Sequence, residues 1–493
     1  MIVNSVLEWL DIRSCLLFVS VFLLLNEILK NKNPPNYPPG PWPLPFLGNI
    51  LTAMDIKTVN KLVENYGNIF SLRKGNENIV FLSGYKMVKE ALVSQGDIFV
   101  DRPKIPLFDK VYKGLGLTLS NGHMWKKHRK FAGTHLKTFG EGKKTMEMYI
   151  QQECNFLCQA IAEEQGGSFD PQMKINHAVS NVICSLTFGH RYDFNNAHFQ
   201  NILRMDSECV LLAGSSRAQL YNECPRLFDF IPGPHQTIFS NYGKIIEFLK
   251  KEIERHKKDW DPSDPRDFVD AYIGETEKMK DDTEAGFNLE TLTICTLDLL
   301  EAGTETTATT LRWALVYMMK YPEVQKKVQA EINRVIGQSR QPTMADRVHM
   351  PYTDAVLHEI QRKADIAPLG FPKMATKDTM LGGYFVPKGT SINANLSSVL
   401  NDRNEWEAPD TFNPGHFLNS QGQFRRRDAF YPFSAGMRAC LGEQLARMEL
   451  FLFFTSLFQR FTICPPPGVE PDLEGVLGFT FAPKRFKMCA VAC

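Results

Sequence analysis

Phe433-Ser-Ala-Gly436-Met-Arg438-Ala-Cys440-Leu-Gly442 fixes five positions in ten, a coincidence with a chance frequency on the order of 10⁻⁴ per chain of this length and composition. Cys440 stands just before Leu441-Gly-Glu-Gln-Leu-Ala-Arg-Met-Glu-Leu-Phe-Leu-Phe-Phe454, whose apolar spacing predicts a buried helix. The sulfur therefore faces the positive N-terminal end of that helix, which favours a thiolate. Gly436 and Gly442 allow the backbone to turn tightly and approach a flat macrocycle, whose metal nearby N–H groups tune through the sulfur. A cysteine in isolation is usually an inert buried thiol. The glycines and Arg438 turn the reading toward a haem ligand, with Phe433 beneath the ring and Arg438 at a propionate. Thiolate ligation of haem favours O–O cleavage.

The motif resembles that of the haem-thiolate monooxygenases, the cytochrome P-450 superfamily, and the resemblance runs from about Pro34 to the C-terminus. The longer stretch Phe424-Arg-Arg-Arg-Asp-Ala-Phe-Tyr-Pro-Phe-Ser-Ala-Gly-Met-Arg-Ala-Cys-Leu-Gly-Glu-Gln-Leu-Ala-Arg447 looks like the microsomal animal family-two type, closest in look to the fatty-acid epoxygenase group. The resemblance implies a mainly α fold with a small β-sheet region, a single large catalytic domain behind an N-terminal membrane anchor. It implies haem b with Cys440 as axial ligand, and electrons from NADPH through a flavoprotein reductase, with cytochrome b5 as a further partner. It implies hydroxylation or epoxidation of small lipophilic substrates, either fatty acids such as arachidonic acid or xenobiotics. Two other readings stay open: a haem-thiolate isomerase or dehydratase that rearranges peroxides without external electrons, and a non-catalytic haem or lipid binder.

Composition agrees with a large enzyme without identifying one. The chain has 493 residues and no clear linker after about residue 50, which predicts one catalytic unit. Lysine and arginine total 56 against 55 acids, so no global field suggests nucleic-acid binding. Eleven cysteines, scattered and odd in number, fit a reducing compartment rather than a disulfide framework.

Ser14 to Asn26 is an uncharged, mostly apolar run, short for a full membrane span. No small-residue cleavage site follows it, so residues 1–30 read as a retained anchor. Lys30 and Lys32 follow the run while Glu8 and Asp11 precede it, which orients the bulk of the chain toward the cytoplasm. Residues 31–49 contain Pro34-Pro-Asn-Tyr-Pro-Pro-Gly-Pro-Trp-Pro-Leu-Pro, a stiff extended hinge with few amide donors. Relatives of this type carry such a hinge behind an endoplasmic-reticulum anchor, which leaves residues 50–493 as the haem-thiolate domain.

Ile69-Phe-Ser-Leu-Arg and Ile79-Val-Phe-Leu flank Gly75-Asn76, a hairpin signal, and a helix begins near Tyr85. The longest predicted helix runs from the N-cap Asn288 to Lys320, before Tyr321-Pro322. Its apolar residues leave little polar face, so Ala302-Gly303-Thr304-Glu305-Thr306-Thr307 is an unexpected polar patch in a buried helix. Thr306 can bond back to the Ala302 carbonyl and open a groove, and Gly303 removes a side chain where oxygen has to fit. By resemblance, Thr306 and Glu305 deliver protons to bound dioxygen. Glu301 departs from the small or apolar residue usual in relatives; contact with cationic substrates and a side chain that points away from the pocket are the two readings, and the second is expected.

Glu359-Ile-Gln-Arg362 puts opposite charges on one helix face, but the same spacing occurs at Glu223 and Arg226, Glu252 and Arg255, and Glu331 and Arg334. Only the first is followed by the Pro368 to Gly389 stretch that looks like the family's sheet, which implies a buried structural ion pair with His416 as third member. Lys363 and Gly415 depart from the family there, and either is expected to cost stability. Resemblance also puts Trp125, Arg129, Arg438, Arg102 and Lys373 at propionate-binding positions, and Phe108, Ala302, Ile366, Leu369 and Phe479 around an apolar substrate pocket. No flavin or dinucleotide Gly-x-Gly-x-x-Gly unit is evident, so electrons must arrive from outside. Lys126, Lys127, Lys130, Lys137 and Arg425 to Arg427 are the candidates for a basic face that meets an acidic reductase.

Overall fold

The hairpin signal becomes β1 (Ile69–Lys74) and β2 (Glu77–Leu82), paired antiparallel from Ile69↔Leu82 to Lys74↔Glu77. A computed structural model describes residues 12–30, 32–50, 52, 55–75, 77–137 and 144–493, so Asn76 of the turn lies outside the described residues. Distant segments complete the sheet. β3 (Lys373–Met374) and β6 (Ser391–Ala394) give the order β1-β2-β6-β3, with β6 parallel to β2 and antiparallel to β3. Between them β4 (Thr379–Leu381) and β5 (Tyr384–Val386) form a separate hairpin.

The proline-rich segment, expected as a stiff extended hinge, makes hydrogen bonds to these strands. Ser71 N donates to Pro39 O at 2.7 Å and Phe385 N donates to Asn36 O at 2.7 Å. A Cβ at Gly40 would lie 2.0 Å from Ser71 O, so close approach excludes a side chain. A proline-rich strand has carbonyls to offer and few donors, and the edges of β1 and β5 supply the N–H groups.

Helices make up most of the remainder. α1 (Ile12–Lys30) exposes apolar side chains, among them Phe18 and Leu29. No helix among the described residues is long and apolar enough to cross a membrane. Glu8 and Asp11 of the orientation argument lie outside the described residues. The helices that position the site are α2 (Pro106–Tyr112), α3 (Gly122–His135), α4 (Gln172–Phe188), α5 (Ala197–Ala213), α6 (Pro234–Lys258), α7 (Leu289–Lys320), α8 (Pro351–Ala364) and α9 (Glu443–Arg460). α7 has the bounds the sequence predicts: the Asn288 side chain accepts from Thr291 N at 2.9 Å, and Tyr321-Pro322 ends it. Its 32 residues extend about 48 Å.

Two apolar clusters divide the helices. The first half of α7 packs with α2, α5 and α6 through Leu297, Phe108, Leu203 and Ile245. Its second half packs with α8 and α9 through Leu311, Val316, Ile360 and Phe451. Leu441, just before α9, joins the first cluster, so α7 and the loop that leads into α9 link the two.

The ion pair of α8 is buried. Arg362 donates to both Glu359 oxygens at 2.8 and 2.7 Å, and its remaining N–H groups reach the carbonyls of Leu400, Pro409 and Thr411. His416 Nδ1 lies 3.2 Å from Glu359, and Asn413 N also donates to that carboxylate. Every charge is thus met by a partner, the condition under which a buried pair is tolerated. The other copies differ: Glu252 and Glu331 pair with their arginines at a partly exposed surface, while Glu223 reaches Lys74 instead of Arg226. Lys363 extends its ammonium to the carbonyls of Pro409 and Asp410, which gives that departure hydrogen bonds at the edge of the network. Gly415 N donates to Asn413 Oδ1, which a Cβ on Gly415 would approach to 2.8 Å, so glycine fits this turn.

Candidate active site

Cys440 N donates to Phe433 O at 3.0 Å and closes the loop before α9. Gly436 turns with φ +76°, and a Cβ there would lie 1.7 Å from Leu92 O, so this position demands glycine twice over. The Cys440 side chain stays accessible. Its surroundings are nevertheless interior: burial pushes the thiol pKa up, while the Gly442 N–H and Arg129 favour the thiolate against Glu443. A Cβ on Gly442 would meet nothing within 4 Å, which leaves that side of the loop open to a flat ring.

Four cations converge beside this loop. Arg438 donates to Val100 O and Ser120 O and stacks on Trp125, with the guanidinium 3.8 Å from the ring centroid. Arg102 donates to Phe371 O, Pro372 O and Thr118 O. Arg129 donates to Ala439 O, next to the cysteine. Lys373 is buried with Arg102 and Arg438 as its charged neighbours. Burial foremost, and then mutual repulsion, brings Arg102 down to about 9, Arg438 to about 8, against the opposing charge of Asp101, and Lys373 to about 7; burial also lowers Arg129. None of the four forms a salt bridge among the described residues, and the buried Trp125 Nε1–H has no acceptor there. Buried cations require an anion, so this set fits the two propionates of haem.

On α7 the Thr306 hydroxyl donates to Ala302 O at 2.7 Å, the back-bond expected from the sequence. Ala302 is accessible within a helix that is otherwise mostly buried. Gly303 has a different reason from the expected one. Its missing Cβ faces Ile183 of α4, 2.4 Å from the Ile183 Cδ1 position, so glycine permits two helices to close rather than making room for oxygen. Glu305 turns to Thr309 and Thr480, whose hydroxyls donate to it at 2.9 and 2.7 Å. Burial raises its pKa, and those hydroxyls and Arg312 act in the opposite direction.

The pocket residues separate into groups. Phe108 and Phe479 meet edge to face at 5.8 Å, and both lie near Phe371, at 6.5 and 5.9 Å. Ile366 packs on the cluster around the second half of α7 and accepts from Phe481 N, whereas Leu369 packs against Val59, Phe70 and Phe81 beside the sheet. Glu301, expected to point away, is buried, and accepts hydrogen bonds from the hydroxyls of Tyr112 on α2 and Tyr242 on α6. Burial, and then the charges of Glu301 and Glu305, raise the pKa of Asp206 on α5. Sequence reasoning missed Phe371, Tyr112, Tyr242 and Asp206. Their only local signal is a polar or aromatic residue inside an amphipathic helix or loop, which many core positions share.

The basic face is smaller than the sequence suggests. Arg425 and Arg427 both pair with Glu407, and Lys127 pairs with Asp282 at 3.1 Å. Lys126, Lys130, Lys137 and Arg426 are exposed. Lys126 and Lys130 stand on α3, the helix whose Arg129 touches the cysteine loop.

Comparison with known proteins agrees with this geometry. The family described as Cytochrome P450 matches residues 38–490. Cytochrome P450 2J2 of Homo sapiens is 50% identical over 483 residues, 97% of this chain and 96% of the relative. Cytochrome P450 2J1 of Oryctolagus cuniculus is 47% identical over 482 residues, 97% of this chain and 96% of the relative. Cytochrome P450 2J5 of Mus musculus is 46% identical over 493 residues, 99% of this chain and 98% of the relative. Haem with a cysteine thiolate, dioxygen and electrons drawn from NADPH through a reductase are the working parts of such a monooxygenase. A match across nearly the whole chain, together with an accessible cysteine beside four cations, makes this protein a member of the cytochrome P450 family, a haem-thiolate monooxygenase.

Proposed function

We propose that residues 1–30 anchor the protein in the endoplasmic-reticulum membrane, that residues 31–49 form its hinge, and that residues 50–493 oxygenate lipophilic substrates on the cytoplasmic face. In this reading Cys440 ligates iron, and Arg102, Arg129, Arg438, Lys373 and Trp125 hold the propionates. The observation that carries it is a group of buried and half-buried cations, none of them in a salt bridge among the described residues, beside an accessible cysteine. The exposed apolar surface of α1 supports membrane attachment, and the exposed Lys126, Lys130, Lys137 and Arg426 suit an acidic reductase, with cytochrome b5 as a further partner.

Haem, when bound, supplies dioxygen binding and thiolate-assisted O–O cleavage. Each turnover consumes two electrons and two protons; one oxygen atom enters the substrate and the other leaves as water. Thr306 holds its hydroxyl in place through its bond to Ala302 O, leaving its oxygen able to accept and pass on a proton. Burial favours the protonated form of Glu305, which makes it a proton source, and Thr309 and Thr480 fix its carboxyl. Phe108, Ala302, Ile366, Leu369 and Phe479 supply apolar surface for a fatty-acid chain or a lipophilic xenobiotic.

The test is turnover of arachidonic acid by the vesicle-reconstituted protein with flavoprotein reductase. Hydroxylated or epoxidised product that requires NADPH supports the reading. Rearrangement of a lipid hydroperoxide with no need for NADPH, and no oxygenation with it, contradicts it.

A further inference from the structure

We infer that Thr480 is a positioning residue that links the substrate-facing tip of a hairpin to the proton on Glu305, an inference that rests on the monooxygenase reading. The hairpin consists of β7 (Gly475–Leu477) and β8 (Phe481–Pro483), joined by Gly478-Phe479-Thr480. Gly478 N donates to Thr480 O at 2.9 Å and closes the turn. Phe479 is 38% exposed and its ring meets Phe108 and Phe371, whereas Thr480 is 3% exposed. The Thr480 hydroxyl donates to Glu305 Oε1 at 2.7 Å, and the Thr309 hydroxyl donates to the same oxygen at 2.9 Å. Among the described residues no hydrogen bond reaches Oε2. An oxygen that already accepts two hydroxyls is the carbonyl oxygen of a neutral carboxyl, so the acid proton resides on Oε2.

Thr309 stands one turn along α7 and moves with Glu305. Thr480 comes from another element, so its bond alone can respond to the pocket. The base of the hairpin is pinned to α7, where Trp313 Nε1 donates to Phe481 O at 2.9 Å and Arg312 Nη2 to Pro483 O at 3.2 Å. The tip is tied to α5. Phe479 N donates to Val210 O at 3.0 Å, and a Cβ on Gly214, the C-cap of α5, would lie 2.4 Å from Gly478 Cα. A substrate seated against Phe479, or a shift of α5 as it enters, therefore moves the tip while the base stays on α7, and the displacement falls on the Thr480 bond. The charges that act with Glu305 are those of Arg312 and Glu301 on α7 and of Asp206 on α5. Gly475 to Pro483 carries no charged residue, so the hairpin reaches the carboxyl through the hydroxyl and not through a field.

The experiment follows the Glu305 carboxyl by infrared titration of the resting, haem-loaded full chain, its band assigned with Glu305→Gln. The probe is the methyl ester of arachidonic acid, which brings no charge of its own. In the parent the ester is expected to shift the titration midpoint. Thr480→Val keeps the shape and removes the donor, so the midpoint moves up, because a hydrogen bond that favours the carboxylate is lost, and the ester no longer shifts it. Thr480→Ser restores both behaviours. In reductase-supported turnover of arachidonic acid, Thr480→Val should lower kcat about fivefold with KM unchanged and carry the alkaline fall in rate to higher pH, and Thr480→Ser should recover the parent values. A parent midpoint indifferent to the ester, which requires no variant at position 480 to fold, overturns the link. A Thr480→Val midpoint equal to the parent's overturns it too, as does a Thr480→Ser variant that behaves like Thr480→Val. The carbon-monoxide difference spectrum of the same samples separates the two levels of failure. A red-shifted band with a titration indifferent to Thr480 refutes the positioning role alone, whereas loss of the band refutes the monooxygenase reading and the role with it.

Discussion

Lys373 carries its ammonium into the interior beside Arg102 and Arg438, where burial and the two guanidinium groups bring its pKa to about 7. Two propionates would raise it again, so the haem-bound protein would hold a proton that the haem-free protein loses as pH rises through about 7. Haem affinity is therefore expected to fall with rising pH over that window, and Lys373→Met to flatten the slope, as measured by haem transfer to a scavenger protein. Glu305 gives a second prediction. Burial raises its pKa above the usual carboxylate range, so its protonated form persists to higher pH and is lost as pH passes the raised value. Reductase-supported turnover should fall in the same direction. Glu305→Gln should lower kcat by about tenfold or more and remove that pH dependence; an unchanged profile would take Glu305 out of proton delivery. Cys440 and the Thr306 back-bond were legible because each is a local pattern of a few residues. The partners of Glu301 were not, since α2 and α6 bring Tyr112 and Tyr242 to it from positions far apart in sequence.

The helix α9 holds an element-scale test. Glu449 is buried beside Thr307 of α7, neither of its oxygens has a hydrogen-bond partner among the described residues, and burial pushes its pKa up to about 8. The folded-state value lies above the unfolded one, so stability present at low pH is lost as pH rises from about 4.5 toward about 8. Glu449→Gln should remove this loss, leaving a variant more stable than the parent at alkaline pH by on the order of a few kcal/mol. Thermal unfolding followed across pH checks it, and parallel curves would contradict it. The bounds of α7 were readable because a cap and a Tyr-Pro stop are written in adjacent residues. The docking of Pro39 and Asn36 on β1 and β5 was not readable, because the sequence reveals a scarcity of donors without saying which distant strand supplies them.

At the scale of the whole molecule, charge is distributed by pairing. Arg425 and Arg427 are occupied by Glu407, whereas Arg426, Lys126 and Lys130 remain exposed, the two lysines on the helix that touches the cysteine loop. Charge reversal of Lys130 and Arg426 should weaken reductase-driven turnover, more so at low ionic strength, and spare peroxide-driven turnover. Equal loss in both assays would contradict a docking role. Composition could not have distinguished these basic residues, because whether a surface arginine is free depends on an acid elsewhere in the fold. The central claim concerns one bond, and the carbon-monoxide difference spectrum of the reduced, haem-loaded protein tests it most directly, with Cys440→Ala as control. The expected result is a strongly red-shifted Soret band that the control lacks; a folded, haem-loaded parent without that band, or a control that keeps it, would contradict thiolate ligation by Cys440.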